Sequence, residues 1–310
     1  MKDSDRTGRP ASNLYSSPIL TGKVAKRIEL HSKKLVKDFL AGLYLSVFKG
    51  RGMEFDALRE YTPGDEIRHI DWNASARMNR PYVKQFIEER ELTLLLVADV
   101  SSSMLYGSGV QSKQELMAEV GALIALSAVE NRDRVGLLRF AEDFMHFLPP
   151  GRGVTHALQI ASELLAPIPK GRKSSYGAML NFLYSVQKRH CLCFFLSDFL
   201  DLESAAPFAM AARRYDSIAL CLSDQREQQL PSLNILNLRP LEGGGGGRKA
   251  VDTADPRVRK SWATHLGTRR KRCREGFAKL GIDWVELKTG EKPIDQLVRF
   301  FSERKRVWSP

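Results

Sequence analysis

The sequence predicts an α/β fold: a doubly wound, mostly parallel sheet with helices on both faces, preceded by an N-terminal helical and irregular extension. Three observations predict it. Short, almost continuous apolar runs such as LTLLLVAD (92–99) and HCLCFFLSDF (190–199) read as strands covered on both faces. Such runs alternate with stretches of helical periodicity, the pattern of a parallel sheet with crossover helices. And 310 residues at 43% hydrophobic suffice for one sizeable core.

Taken in order, residues 1–22 are polar and carry Pro and Ser, which reads as a disordered tail. Ile28, Leu30, Leu35, Val36, Phe39, Leu40 and Leu43 then recur at helical spacing, so an amphipathic helix is expected near 24–45. The next stretch, about 50–86, is too polar for a core element and too aromatic for a linker, and holds the turn signal Thr62-Pro63-Gly64-Asp65. After the first buried strand, a Gly/Ser loop leads to a helix over 114–131. RVGLLRF (134–140) is the second strand, and FMHFL (144–148) forms a hairpin with it. Helices follow over 155–166 and 176–189, then the third strand, a helix over 202–215 and the strand SIALCLS (217–223). A turn-rich stretch contains the glycine run Gly243 to Gly247, read as loop because it lacks the Lys-Ser/Thr of a phosphate-binding loop. A long basic helix (about Asp255 to Leu280), the strand IDWVELK and a last helix from about Pro293 to Arg304 complete the chain.

Composition excludes several classes. No apolar run is long enough to span a bilayer, and the first residues do not read as a signal peptide. Four cysteines in a chain this long make no disulfide scaffold, so a reducing, cytoplasmic location is expected. The chain carries 48 Lys+Arg against 36 Asp+Glu, a net charge of +12, and residues 248–310 hold +9 of it. Such a segment can face nucleic acid, an acidic membrane or an acidic protein, or form a solvated helix face. No aromatics interleave the cluster Arg269 to Arg274, which argues against a nucleic-acid footprint.

The chemistry centres on Asp99-Val100-Ser101-Ser102-Ser103, at the end of the first buried strand. Asp99, Ser101 and Ser103 alternate along a tight loop, so one carboxylate and two hydroxyls can converge. Hard oxygen donors of this kind suit Mg²⁺ (or Mn²⁺/Ca²⁺), not zinc. Asp198 ends a later strand and belongs at the same carboxyl edge of the sheet, reaching the same point directly or through water. Ser174 or Ser175, in the loop before another helix, adds a hydroxyl. The competing explanation is that Asp99 and the serines merely cap the following helix and satisfy loop amides. Asp99 is expected near solvent, at a strand terminus.

These residues carry a resemblance. LLLVADVSSSM followed by a helix, and then FFLSDF, resembles the von Willebrand factor A domain, whose metal-ion-dependent adhesion site has the pattern D-x-S-x-S, then Thr, then Asp. The upstream GRGMEFDALREYTPGDEIRHIDWNASAR resembles the signature of the "domain of unknown function 58" family of bacterial proteins, and the resemblance runs from about Gly50 to the C-terminus. It implies a von Willebrand factor A-like domain over 91–310, with 23–90 as an N-terminal helix and signature segment. It assigns the metal to Asp99, Ser101, Ser103 and Asp198. The threonine position departs from the pattern, with Ser174 the nearest match. It also implies a partner, a MoxR-type AAA+ ATPase, whose genes commonly neighbour the family, and a role as adaptor or co-chaperone toward an unidentified client protein.

In the signature, Glu54, Arg59, Asp65, Arg68, Asp71 and Arg77 are expected to form a charge-paired network around Tyr61 and a buried Trp72, lashing the N-terminal helix to the sheet domain. The functional alternative is a partner-binding face near the metal. Two rival functions remain: a metal-dependent hydrolase or phosphotransferase using the strand-end aspartates, and nucleic-acid binding through the basic C-terminal helix. The former lacks an evident general base. The leading expectation is a non-enzymatic, metal-dependent interaction module.

Overall fold

A computed structural model describes residues 54–308, apart from 68–69, 88–90, 110, 169–170, 239–240, 242–246 and 248. The tail expected over 1–22, the helix near 24–45 and most of the glycine run lie outside the described residues. The described chain enters through an antiparallel pair, β1 (Glu54–Glu60) and β2 (Tyr82–Ile87), joined through the short helix α1 (Trp72–Met78). Then come β3 (Thr93–Asp99), α2 (Lys113–Glu130), β4 (Arg134–Ala141), β5 (Phe144–Gly151), α3 (Val154–Leu165), α4 (Tyr176–Val186) and β6 (Leu192–Ser197). The remainder is α5 (Ala209–Arg214), β7 (Asp216–Ser223), α6 (Gln225–Gln228), β8 (Ile235–Leu238), β9 (Lys249–Asp252), α7 (Pro256–Lys279), β10 (Asp283–Lys288) and α8 (Pro293–Trp308).

Six strands form the central sheet in the order β10-β7-β6-β3-β4-β5. All neighbours run parallel except the β4–β5 hairpin at one edge. The chain winds from β3 out to β5, then returns to β6 and winds the other way to β10. The winding reverses between β3 and β6, so the carboxyl ends of these two strands flank the crevice where doubly wound sheets take their ligands.

Alternation along β3 explains the two-faced core. Leu94, Leu96 and Ala98 join the cluster under α2, α3 and α8, while Leu95 and Val97 join the one under α4, α5 and α7. Helix α2 is apolar nearly all round, as a helix enclosed between a sheet and other helices must be. A capping box between Ser112 and Glu115 starts it.

Three elements differ from the sequence reading. Residues 202–215 form not one helix but a 3-10 turn (Ala206–Phe208) followed by the short α5, because Pro207 fits only at a helix start. The signature segment contains β1 and β2, whose alternation is broken by an irregularity between Phe55 and Ala57. The turn-rich stretch holds the antiparallel pair β8–β9 on either side of the glycine run. In the signature, Arg59 forks onto Asp65, and Asp71 caps α1 by accepting from the Asn73 and Ala74 amides. The fork holds the Asp65 carboxyl well below the usual range. Trp72, expected to be buried, is 67% exposed, because α1 buries none of its residues. Arg68 lies outside the described residues.

Candidate metal centre

The parallel register sets Ala98 of β3 opposite Leu196 of β6, so Asp99 and Asp198 emerge side by side at one edge. Each is raised or lowered by what surrounds it. Asp99 is fully buried, not near solvent as its strand-terminal position implied. Its Oδ1 accepts from the Ser101 amide at 2.8 Å, and its Oδ2 from the hydroxyls of Ser174 and Ser197, both at 2.6 Å. Burial, and then the negative charge of Asp198, push the Asp99 carboxyl up to about 6 despite these three donors.

The hydroxyls are positioned by backbone contacts. Ser102 exchanges hydrogen bonds with Arg172: its amide donates to the Arg172 carbonyl and its hydroxyl accepts from the Arg172 amide. The Glu142 amide donates to the Lys173 carbonyl. The 172–174 loop is thereby pinned between the end of β3 and the β4–β5 hairpin, which brings Ser174 onto Asp99; Ser175 begins α4 without a capping bond. The Ser101 and Ser103 hydroxyls lie 3.1 Å apart, and Ser103 also bonds to Asp198. All five residues singled out in the sequence, Asp99, Ser101, Ser103, Ser174 and Asp198, thus form one connected cluster. Helix capping does not explain it, since Ser101 precedes a 3-10 turn without making a capping bond and α2 is capped by Ser112, but Asp99 and Ser102 do each satisfy a loop amide, of Ser101 and Arg172.

Sequence reasoning missed the cation already there. Lys113, fully buried in the first turn of α2, sits 2.7 Å from Asp198 Oδ2 and 2.5 Å from Glu227 Oε1. Burial works against its charge, but the two carboxylates raise its ammonium above the ordinary lysine range. Burial likewise opposes the Asp198 charge, yet Lys113 and the Leu200 amide bring that carboxyl below its usual value. Glu227 is raised by burial even beside Lys113. A lysine in the first turn opposes the helix dipole, and that misplacement was the one sequence signal for a buried partner.

Two further residues shape the pocket. Phe199, next to Asp198, adopts φ 53°, a left-handed conformation that costs a bulky residue about 1–2 kcal/mol. It is held there by the rings of Tyr176, Phe277 and Trp284, and the turn lets the Leu200 amide reach Asp198 Oδ1. Tyr176 shares a 2.9 Å hydrogen bond with Ser197, closing the cluster from below. Among the described residues no group of three or more His, Cys, Asp or Glu forms a charged metal cage. The donors here are two carboxylates and hydroxyls. This hard-oxygen set fits an ion such as Mg²⁺ that keeps much of its water.

The profile of the family described as "Protein of unknown function DUF58" matches residues 57–272. The chain belongs to this family. It is 27% identical over 284 residues to "Uncharacterized protein Rv1480" of Mycobacterium tuberculosis, covering 91% of this chain and 89% of that one. "Uncharacterized protein Mb1516" of Mycobacterium bovis matches to the same extent. Among solved structures, the conserved hypothetical protein BatB of Bacteroides thetaiotaomicron overlaps 69% of this chain and 99% of its own, at 15% identity and a TM-score of 0.43. The SpRpn10 VWA domain overlaps 68% of this chain and 94% of its own, at 10% identity and a TM-score of 0.34. The von Willebrand factor A-like architecture of this DUF58 chain rests on its own sheet: parallel strands wound both ways from β3, with a hairpin strand at one edge. No helix among the described residues is long and apolar enough to cross a membrane.

Proposed function

We propose that this chain is a metal-dependent protein-interaction module of the cytoplasm, not an enzyme, and that it serves a MoxR-type AAA+ ATPase as adaptor or co-chaperone toward a client protein. One observation carries the metal half: a fully buried Asp99 that accepts from the Ser174 hydroxyl and the Ser101 amide, with the paired Ser101 and Ser103 hydroxyls on the same loop and Asp198 beside it at the winding reversal. Asp99 and the three hydroxyls would hold Mg²⁺. Asp198 is charge-paired with the Lys113 ammonium at 2.7 Å, whereas Asp99 has only neutral donors, so Asp198 fits a supporting role through water. When bound, the ion supplies a positive centre for a partner's carboxylate. The non-enzymatic half is supported by Lys113, the amine beside the cluster, which is locked as an ammonium between two carboxylates and offers no base. The ATPase as partner follows from family resemblance.

The test pairs the purified chain with its cognate MoxR-type ATPase, with Mg²⁺ or with EDTA, and compares wild type with Asp99→Asn. Chelator and mutation should each abolish the complex while circular dichroism stays native. A complex that survives both ends the metal-bridge reading and shifts attention to the exposed Trp72 and its signature segment.

A further inference from the structure

We infer that the outer face of α7 is a docking groove for an acidic, extended protein segment. This deepens the proposed function, because it names the chemistry of the partner that approaches the metal centre. Above α7 lies an open groove of about 910 Å³ with nine lining residues. Four of them, Arg257, Lys260, Arg269 and Arg272, are permanent cations, and only Glu203 is acidic. Lys260, Arg269 and Arg272 have no carboxylate partner among the described residues, while Arg257 is 93% exposed and reaches only Asp255 on its own turn. Three cations without carboxylate partners along one helix face make the local potential positive there.

The rest of the lining decides what kind of anion fits. Between the cations run the hydroxyls of Ser261, Thr264 and Thr268 and the imidazole of His265, and no aliphatic, Phe, Tyr or Trp side chain lines the groove. An amphipathic helix would find no aliphatic or large aromatic side chain to seat against, and nucleic-acid bases would find one imidazole instead of a row of rings to stack on. Carboxylates find both charge and donors. From Arg257 to Arg272 the helix rises about 22 Å, the length of about seven extended residues.

Position links the groove to the metal centre. Arg269 lines the groove and also the small cavity walled by Asp198 and Glu227. Beneath it, Trp262 of α7 donates to the Glu227 carbonyl at 2.8 Å, fixing the helix to the turn that holds Lys113. Arg269 therefore sets one end of the groove beside the residues that flank the metal centre.

The experiment uses the full chain and a fluorescein-labelled peptide of alternating glutamate and serine, read by anisotropy across a salt series in Mg²⁺ and in EDTA. The groove variant is Lys260→Glu/Arg269→Glu/Arg272→Glu. The control is Lys188→Glu/Arg189→Glu/Arg213→Glu, which makes the same charge change at exposed positions outside the groove. Circular dichroism checks folding of both. The groove variant should bind about tenfold more weakly at low salt, the control should stay within about twofold of wild type, and salt should erase the difference. The loss should appear in EDTA as well as in Mg²⁺. Loss in Mg²⁺ alone would place the peptide at the metal and overturn the groove. Equal losses in the two variants, no binding by wild type, or an oligonucleotide of matched charge that binds as tightly would each overturn it too. Failure of the metal reading shows separately, as wild-type affinity that EDTA leaves unchanged.

Discussion

Lys113 is where the structure makes its strongest quantitative demand. Replacing it by methionine keeps the aliphatic stem and removes the charge, leaving Asp198 and Glu227 facing each other in a dry pocket. At separations of 2.7 and 2.5 Å the two attractions are each worth about 6 kcal/mol at an effective dielectric of about 20. Burying the ammonium cancels several kcal/mol of that, and breaking such a buried pair by removing one partner costs about 3–5 kcal/mol. For a domain of this size the loss corresponds to a fall in Tm of about 10 °C. The assay is urea and thermal unfolding of wild type and Lys113→Met in EDTA. Adding Asp198→Asn and Glu227→Gln to Lys113→Met should recover most of the loss, since a neutral cluster needs no counter-charge. A loss below about 1 kcal/mol for the single variant, or no recovery in the triple one, would refute the reasoning that Lys113 is the resident counter-cation of this site.

Two further outcomes follow from geometry elsewhere. Glu91 is held down to about 2 by hydrogen bonds from Arg152 and then Arg134, so its folded pKa lies below its unfolded value. Its stabilisation is therefore present above about pH 4.3 and fades as pH falls toward 2, and for so exposed a cluster it is below about 1 kcal/mol. The urea midpoint of Glu91→Gln should sit below that of wild type at neutral pH and meet it near pH 2; a gap that widens in acid would contradict this. Gly136 in β4 has the backbone of β5 against it, and an added Cβ would lie 2.9 Å from the Pro150 nitrogen and 3.0 Å from the Leu148 carbonyl oxygen. Gly136→Ala should cost about 1–3 kcal/mol by denaturant titration, because a paired strand cannot yield as a side chain does; a neutral result would show that the hairpin edge moves freely.

The candidate site was legible because Asp99, Ser101 and Ser103 share one loop and Asp198 follows another strand end. The D-x-S-x-S loop announces itself, and Asp198 is placed by the rule that parallel strands share a carboxyl edge. Ser197 was within reach as the residue before Asp198, but only the structure aims its hydroxyl at Asp99. The choice between Ser174 and Ser175 was likewise undecidable from two adjacent serines; the backbone bonds of Arg172 and Lys173 turn Ser174 inward.

The sequence by itself determined the sheet, its strands and their direction, since apolar runs alternating with helical periods allow little else. It also determined where the oxygen donors gather. What only the tertiary structure decided was the charge state of that place. Lys113 meets Asp198 from 85 residues away and Glu227 from 114, so no local pattern records the contact. Burial, which no single residue carries in its own identity, raises Asp99 toward neutral pH and leaves Trp72 outside. Electrostatics in a protein depends on distance and solvent exclusion together, and both are set by how distant segments pack, not by the order in which their residues are joined.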